Sequence, residues 1–185
     1  MNAHTLKLLS KNDAATQQQV YYQHADRLMA IVLRYVPSVV DAEEVLQDSF
    51  IRIFEKIDSF DEQKGSFKAW SSKIAVNFAL MFLRKKRKLV FYEEDLHAKI
   101  LNINNEAVQK LNQEDINKQI EKLDEKYAVI FKLKAIEGYS HQEIAILLGI
   151  KKEASRTIFS RAKKQLRNMF ELKKQNLSAH KKGVL

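Results

Sequence analysis

The stretch S-F-K-A-W-S-S-K-I-A-V-N-F-A-L-M-F-L-R-K-K-R, from Ser66 to Arg87, contains neither Gly nor Pro. Phe67, Trp70, Ile74, Phe78 and Met81 recur in it at the three- and four-residue spacing of one helical face. Ala69, Val76, Leu80 and Leu83 make the far side apolar too, which predicts a helix lying deep in a bundle. Polar groups keep to one edge. Lys73, Asn77 and Arg84 line up there beside Trp70, and the run ends in Arg84-Lys85-Lys86-Arg87-Lys88. A cation for phosphate, an amide for a base edge and an aromatic for stacking suit an opened DNA strand. A core helix with a solvated basic end uses the same residues, and this stretch alone leaves the two readings even.

Composition agrees with helices. One Pro and four Gly in 185 residues leave little punctuation for hairpins, so an all-α protein is expected. A net charge of +9 favours a polyanionic partner, nucleic acid or an anionic membrane surface. The absence of cysteine rules out a disulfide framework and a thiolate metal site, and suits the cytoplasm. No apolar run approaches the ~18 residues of a spanning helix, and Met1–Lys11 lacks the apolar centre of a signal peptide. A cytoplasmic chain without membrane insertion is therefore expected. Carboxylates clustered with histidine, a nucleophile–base pair and a glycine-rich phosphate loop are all missing, so neither catalysis nor a cofactor is expected.

Upstream of the central stretch, Met1–Asp13 is polar and reads as frayed. From Ala14 to Val36, Tyr21, His24, Leu28, Ile31 and Tyr35 form an apolar stripe, with His24 as a core histidine. Pro37 ends that helix, because proline lacks the amide hydrogen and clashes with the preceding turn. Val39–Ile57 reads as a second helix that buries Val39, Ala42, Leu46, Phe50, Ile53 and Ile57. Opposite lies an acidic ridge, Asp41, Glu44, Asp48 and Glu55, with Ile51 exposed among them. Ordinary solvated surface and a docking face for a basic helix, anchored by Ile51, both remain open. A polar loop, Asp58–Gly65, then sets Phe60 and Phe67 on either side of a flexible segment.

Downstream, Leu89–Asn112 keeps no period and reads as a linker between two domains, 1–88 and 113–173. Gln113–Leu123 is helical, and Asp124 reads as the N-cap of a helix running through Tyr127, Ile130, Phe131 and Leu133 to Gly138. Ser140-His141-Gln142-Glu143 is a capping box, and Gly149 permits a left-handed turn after the short helix it opens. A second helix starts near Lys152, with Ala154, Ile158, Phe159, Ala162, Leu166, Met169 and Phe170 on its apolar side. Arg156, Thr157, Ser160, Arg161, Lys163, Lys164 and Arg167 lie opposite. Cap, small crossing residue Ala145, glycine turn and basic outer face together describe a helix-turn-helix. The tail 174–185 is basic and expected to be disordered.

In this order the motifs resemble a bacterial RNA polymerase sigma factor of the extracytoplasmic-function group, over about Tyr21 to Phe170. D-A-E-E-V-L-Q-D-S-F-I-R-I-F (Asp41–Phe54) resembles the core-polymerase-binding helix of that family. F-K-A-W-S-S-K-I-A-V-N with the later R-K-K-R resembles its promoter-melting helix. L-D-E-K-Y-A-V-I-F and G-Y-S-H-Q-E-I-A-I-L-L-G-I resemble the region that reads the upstream promoter element. The resemblance implies that Asp41, Glu44, Gln47 and Asp48, with Ile51, bind the clamp helices of the polymerase's largest subunit. It implies that the loop Asp61–Lys68, including Lys64 and Phe67, cradles a base flipped from the −10 element. Trp70, Lys73, Asn77, Arg84 and Arg87 would lie near the melted strand. Lys152, Arg156, Thr157, Ser160, Arg161 and Lys164 would face the −35 element. Leu89–Asn112, with Glu93-Glu94-Asp95, would thread towards the RNA exit path, and part of the second module would grip the polymerase flap.

Four positions depart from the family pattern: Met81 stands where Asp or Asn is common, Ser155 replaces an apolar residue, Ile158 replaces Arg or Gln, and Asp124 stands where Pro is frequent. Core RNA polymerase and promoter DNA are the partners implied, an anti-sigma factor is a further one in many members, and a monomer is the family expectation. The alternative is a stand-alone helix-turn-helix repressor or activator. It leaves the acidic ridge and the Trp70–Asn77 edge without a role.

Overall fold

The computed structural model describes residues 2–86 and 113–182, with side chains over 2–86 and 117–171. Among them are eight α-helices and no strand, in two compact units, 1–88 and 89–185. Arg87, the segment 89–112 and the acidic cluster Glu93-Glu94-Asp95 lie outside the described residues.

The first unit holds α1 (Ala3–Leu9), α2 (Ala14–Leu33), α3 (Val39–Glu55) and α4 (Phe67–Lys85), with 3-10 turns at Ile57–Ser59 and Glu62–Lys64. Asp13, Ser38 and Ser66 open α2, α3 and α4, each side chain accepting the N–H three residues on. The expected frayed start is instead a helix: Asn2 caps α1 through the Thr5 N–H at 2.7 Å, and Leu9 is fully buried. A single inward leucine at the end of a polar segment leaves no period to detect.

Helices α2, α3 and α4 pack on one another. Their shared core includes Val20, Leu28 and Val32, then Ala42, Val45 and Ile53, then Ala75, Val76, Ala79 and Leu80. Two expectations change. Val39, in the first turn of α3, is 57% exposed rather than buried. Helix α4 turns inward the face of Phe67, Ser71, Ala75, Val76, Ala79, Leu80 and Leu83. Trp70, Ile74 and Phe78 are half-buried, Ala69 is exposed and Met81 is 59% exposed. Ser71, Ala75 and Ala79 recur every fourth residue, and small side chains let helix axes approach closely. The bulkier row is therefore left at the rim.

The second unit holds α5 (Gln113–Ile120), α6 (Glu125–Phe131), α7 (His141–Leu148) and α8 (Lys152–Lys182). Asp124 occupies the N-cap position of α6, but its side chain makes no capping hydrogen bond. A π-turn, Lys132–Ile136, extends α6, with the Glu137 N–H donating to the Lys132 carbonyl at 3.0 Å. Gly138 at φ +77° then stops the helix, and the Tyr139 N–H reaches back to the Leu133 carbonyl at 2.9 Å. Helix α8 continues to Lys182, so residues 174–182 of the tail are helical rather than disordered. No Gly or Pro interrupts it before Gly183, and Lys, Gln, Leu and Ala there are good helix formers.

Gly149 closes α7 at φ +66°, and a Cβ built there meets no atom within 4 Å. The cost of Gly149→Ala is therefore conformational alone, about 1–2 kcal/mol for an L-residue held left-handed. Chemical denaturation should show that loss, with helix content retained. An unchanged midpoint would mean the turn relaxes freely.

Candidate polymerase and promoter interfaces

On α3, Glu44, Gln47, Asp48 and Ile51 are exposed in one stripe, as three- and four-residue spacing requires. Ile51, 58% exposed, is a large apolar side chain set among carboxylates. Asp41 does not join them. Lys86 Nζ donates to both its carboxylate oxygens at 2.9 Å, bracing the start of α3 against the end of α4. Its carboxylate is thus engaged within the unit.

A groove runs between α3 and α4, lined by Asp48, Ile51, Arg52 and Glu55 on one side and Ile74, Asn77, Phe78 and Met81 on the other. Arg52 and Glu55 pair along the rim at 3.1 Å. The groove brings the acidic ridge and the Asn77 edge to one surface, which sequence spacing did not reveal. Ile74, Phe78 and Met81 are the residues missed. Their signal was the bulky row on a helix already apolar on its other side.

The loop before α4 forms an open hollow lined by Glu62, Gln63, Lys64, Gly65, Ser66 and Phe67. Asp61 shapes it: its carboxylate accepts the Gln63 N–H at 3.0 Å and pairs with Lys64 at 3.3 Å. The Gln63 amide first, and Lys64 second, hold that carboxyl below the usual carboxylate range. Lys64 and Lys68 are exposed beside the hollow. Phe67 is 5% exposed and belongs to the core, so it supports the hollow from beneath instead of reaching out to DNA. Its ring meets His24 at 5.2 Å, Phe60 at 5.6 Å and Trp70 at 5.7 Å between centroids. As the first residue of α4, Phe67 points back onto α2, where apolar surface awaits it.

His24 is buried as expected, and burial, then Arg27 and Lys68, push its imidazole below the ordinary value. Arg27 donates to Ser71 Oγ at 2.8 Å and Ser72 Oγ at 2.6 Å, fastening α2 to the first turns of α4. Lys73, Asn77 and Arg84 are exposed along α4, and Trp70 is half-buried at the same edge.

In the second unit the capping box forms: the Glu143 N–H donates to Ser140 Oγ at 3.1 Å, and the Ser140 N–H to Glu143 Oε2 at 2.8 Å. Ile144, Ala145 and Leu148 of α7 and Ala154, Ile158, Ala162 and Leu166 of α8 are buried, and the two helices pack. On α8, Arg156 and Lys164 are exposed, while Lys152, Ser160 and Arg161 are half-buried. Thr157 is 5% exposed and leaves the set of outward residues. It stands three residues after Ala154 and beside Ile158, and that register carries it onto the inner face.

The sigma-70 region 2 family matches residues 20–89, and the sigma-70 region 4 family matches residues 113–166. The chain is 27% identical over 174 residues to the ECF RNA polymerase sigma factor SigW of Bacillus subtilis, covering 88% of this chain and 92% of that one. It is 28% identical over 151 residues to the ECF RNA polymerase sigma factor SigE of Mycolicibacterium smegmatis, covering 79% of this chain. It spans 58% of the length of that SigE relative. Among solved structures, the sigma factor RpoE of Bartonella quintana superposes with a TM-score of 0.52 at 21% identity, covering 83% of this chain and 96% of that one. CnrH superposes with a TM-score of 0.50 at 20% identity, covering 91% and 96%. Those two likenesses concern the fold. With both regions matched in order, one on the unit bearing the acidic ridge and one on the unit bearing the helix-turn-helix, the chain belongs to the sigma-70 family of RNA polymerase sigma factors, in its extracytoplasmic-function group.

Proposed function

We propose that this chain binds core RNA polymerase through α3 and directs it to selected promoters, contributing recognition and strand capture but no chemistry of its own. The observation that carries this is the exposed stripe Glu44, Gln47, Asp48 and Ile51 on a chain of net charge +9. A protein that met only DNA would gain nothing from carboxylates around an exposed isoleucine. A basic polymerase helix would gain both an apolar anchor and charge complementarity.

Residues 1–88 serve as region 2 and 113–173 as region 4, with 89–112 between them as linker. Lys64, Lys68, Trp70, Lys73, Asn77 and Arg84 contact the opened −10 strand, and the hollow at Glu62–Phe67 receives a flipped base. Lys152, Arg156, Ser160, Arg161 and Lys164 face the −35 duplex. Opening DNA costs about 1–2 kcal/mol per base-pair step. A captured base returns roughly 1–3 kcal/mol. One or two captured bases therefore hold a bubble only together with the polymerase, and the isolated chain binds promoters weakly. RpoE was solved with the anti-sigma factor NepR and CnrH with the cytosolic domain of CnrY, and an anti-sigma factor is the third partner proposed. The site of action is the cytoplasm; among the described residues no helix is long and apolar enough to cross a membrane.

The test is transcription from genomic fragments by core polymerase with and without the chain, sequencing RNA 5′ ends. Discrete start sites that appear only with the chain are expected. A duplex footprint without polymerase, and no new start sites, would favour a stand-alone regulator. Within this reading, Arg156→Ala should weaken −35 duplex binding and lower the salt slope by about one counterion. An unchanged slope would move the phosphate contact off Arg156.

A further inference from the structure

Ser155 has no solvent exposure, on the inner face of α8 where the resemblance leads one to expect an apolar side chain. A buried hydroxyl needs a partner. It finds one on the other helix of the motif: Ser155 Oγ lies 2.9 Å from Nδ1 of His141, the first residue of α7. When the hydroxyl donates to Nδ1, the neutral ring carries its hydrogen on Nε2. The ring also stands against Phe159 at 5.7 Å, and Phe159 stacks on Phe131 at 5.8 Å. One polar contact thus joins α7 to the first turn of α8.

The charges around this ring are of one sign. Lys134 of the π-turn and Arg156, Lys152 and Lys163 of α8 all disfavour its protonation, adding to burial, which is the largest cause. The nearest carboxylate on its own helix, Glu143, is engaged with the Ser140 N–H. Two of the four cations, Lys152 and Arg156, belong to the duplex-facing set.

We infer that His141 is a positioning residue of the helix-turn-helix and that its ring takes up a proton when duplex DNA docks. The inference rests on the reading of α7 and α8 as the duplex-binding pair. Phosphates neutralise the cations that hold the free ring neutral, so the charged ring becomes favourable on DNA. The proton comes from solvent and settles on Nδ1. Ser155 then accepts from Nδ1–H, and its own hydrogen turns to the Lys151 carbonyl one helical turn back, which retains a second lone pair. The link between the helices survives. The sign follows from proton count. The DNA-bound state holds more protons, so affinity rises as pH falls through the bound ring's midpoint and levels off below the free ring's midpoint.

The experiment follows the His141 Cε1–H resonance of the full chain from pH 5 to 8, with and without a 30-base-pair mixed-sequence duplex at low salt. Binding of the same duplex by parent, His141→Asn and Arg156→Ala is measured alongside. The His141 midpoint should rise when duplex is added. Each unit of rise gives up to a tenfold gain in affinity towards low pH, and His141→Asn should lose that gain. A midpoint unmoved by bound duplex overturns the inference, and if Arg156→Ala still weakens binding there, the helix-turn-helix reading stands. No effect of either substitution on duplex binding overturns both.

Discussion

Asp48→Lys should abolish one-to-one co-elution with bacterial core RNA polymerase while leaving the chain folded. Asp48 is exposed at mid-helix on α3, between Glu44 and Ile51, and makes no ion pair among the described residues. Its replacement should change stability by no more than about 0.5 kcal/mol, the usual range for a surface position away from caps and networks. Docking is another matter. Reversal places a cation against a basic partner and beside the apolar anchor, where like charges a few ångströms apart oppose binding by several kcal/mol before screening. A loss of about 2–4 kcal/mol corresponds to a thirty- to several-hundred-fold weaker complex. Sizing chromatography with matched circular dichroism reads both halves of the prediction. Undiminished co-elution by a folded variant would remove the ridge from the interface. Asp41→Lys makes the contrast: its carboxylate braces Lys86, so its first effect should be on denaturation rather than on polymerase.

Phe67→Ala should destabilise the first unit by about 3–5 kcal/mol, the range for truncating a buried phenylalanine. The ring is 5% exposed and sits among His24, Phe60 and Trp70, so truncation leaves a void beneath the hollow at Glu62–Phe67. Lys64→Ala and Lys68→Ala, at exposed positions beside it, should leave the denaturation midpoint within error while weakening −10 strand capture. The two kinds of variant separate support from contact. A Phe67→Ala chain of parental stability that failed only in promoter opening would restore Phe67 to the DNA surface.

What could be read in the chain was local. Ser38, Ser66, the Ser140–Glu143 box and Gly149 begin or end helices through bonds reaching three or four residues, so the string of residues contains both partners. The all-helical class, the helix-turn-helix and the acidic stripe on α3 follow from such spacings. The motifs that resemble a sigma factor lie on those same elements. Even the uninterrupted run of helix formers in α8 was present, although the basic composition of the tail concealed it.

What the tertiary structure alone decided was which of two permissible faces turns inward and which charges are already engaged. Helix α4 is apolar on both sides, and its rotation is set by α2 and α3, where a close approach favours Ser71, Ala75 and Ala79. Arg27 reaches Ser71 and Ser72 from a distant helix, Lys86 occupies Asp41, and Ser155 meets His141. Thr157 lies inward for the same reason, since the register of α8 against α7 is settled by packing. Periodicity within one segment reports that a helix has faces. The choice between them depends on the shapes of partners tens of residues away, and only the folded chain brings those together.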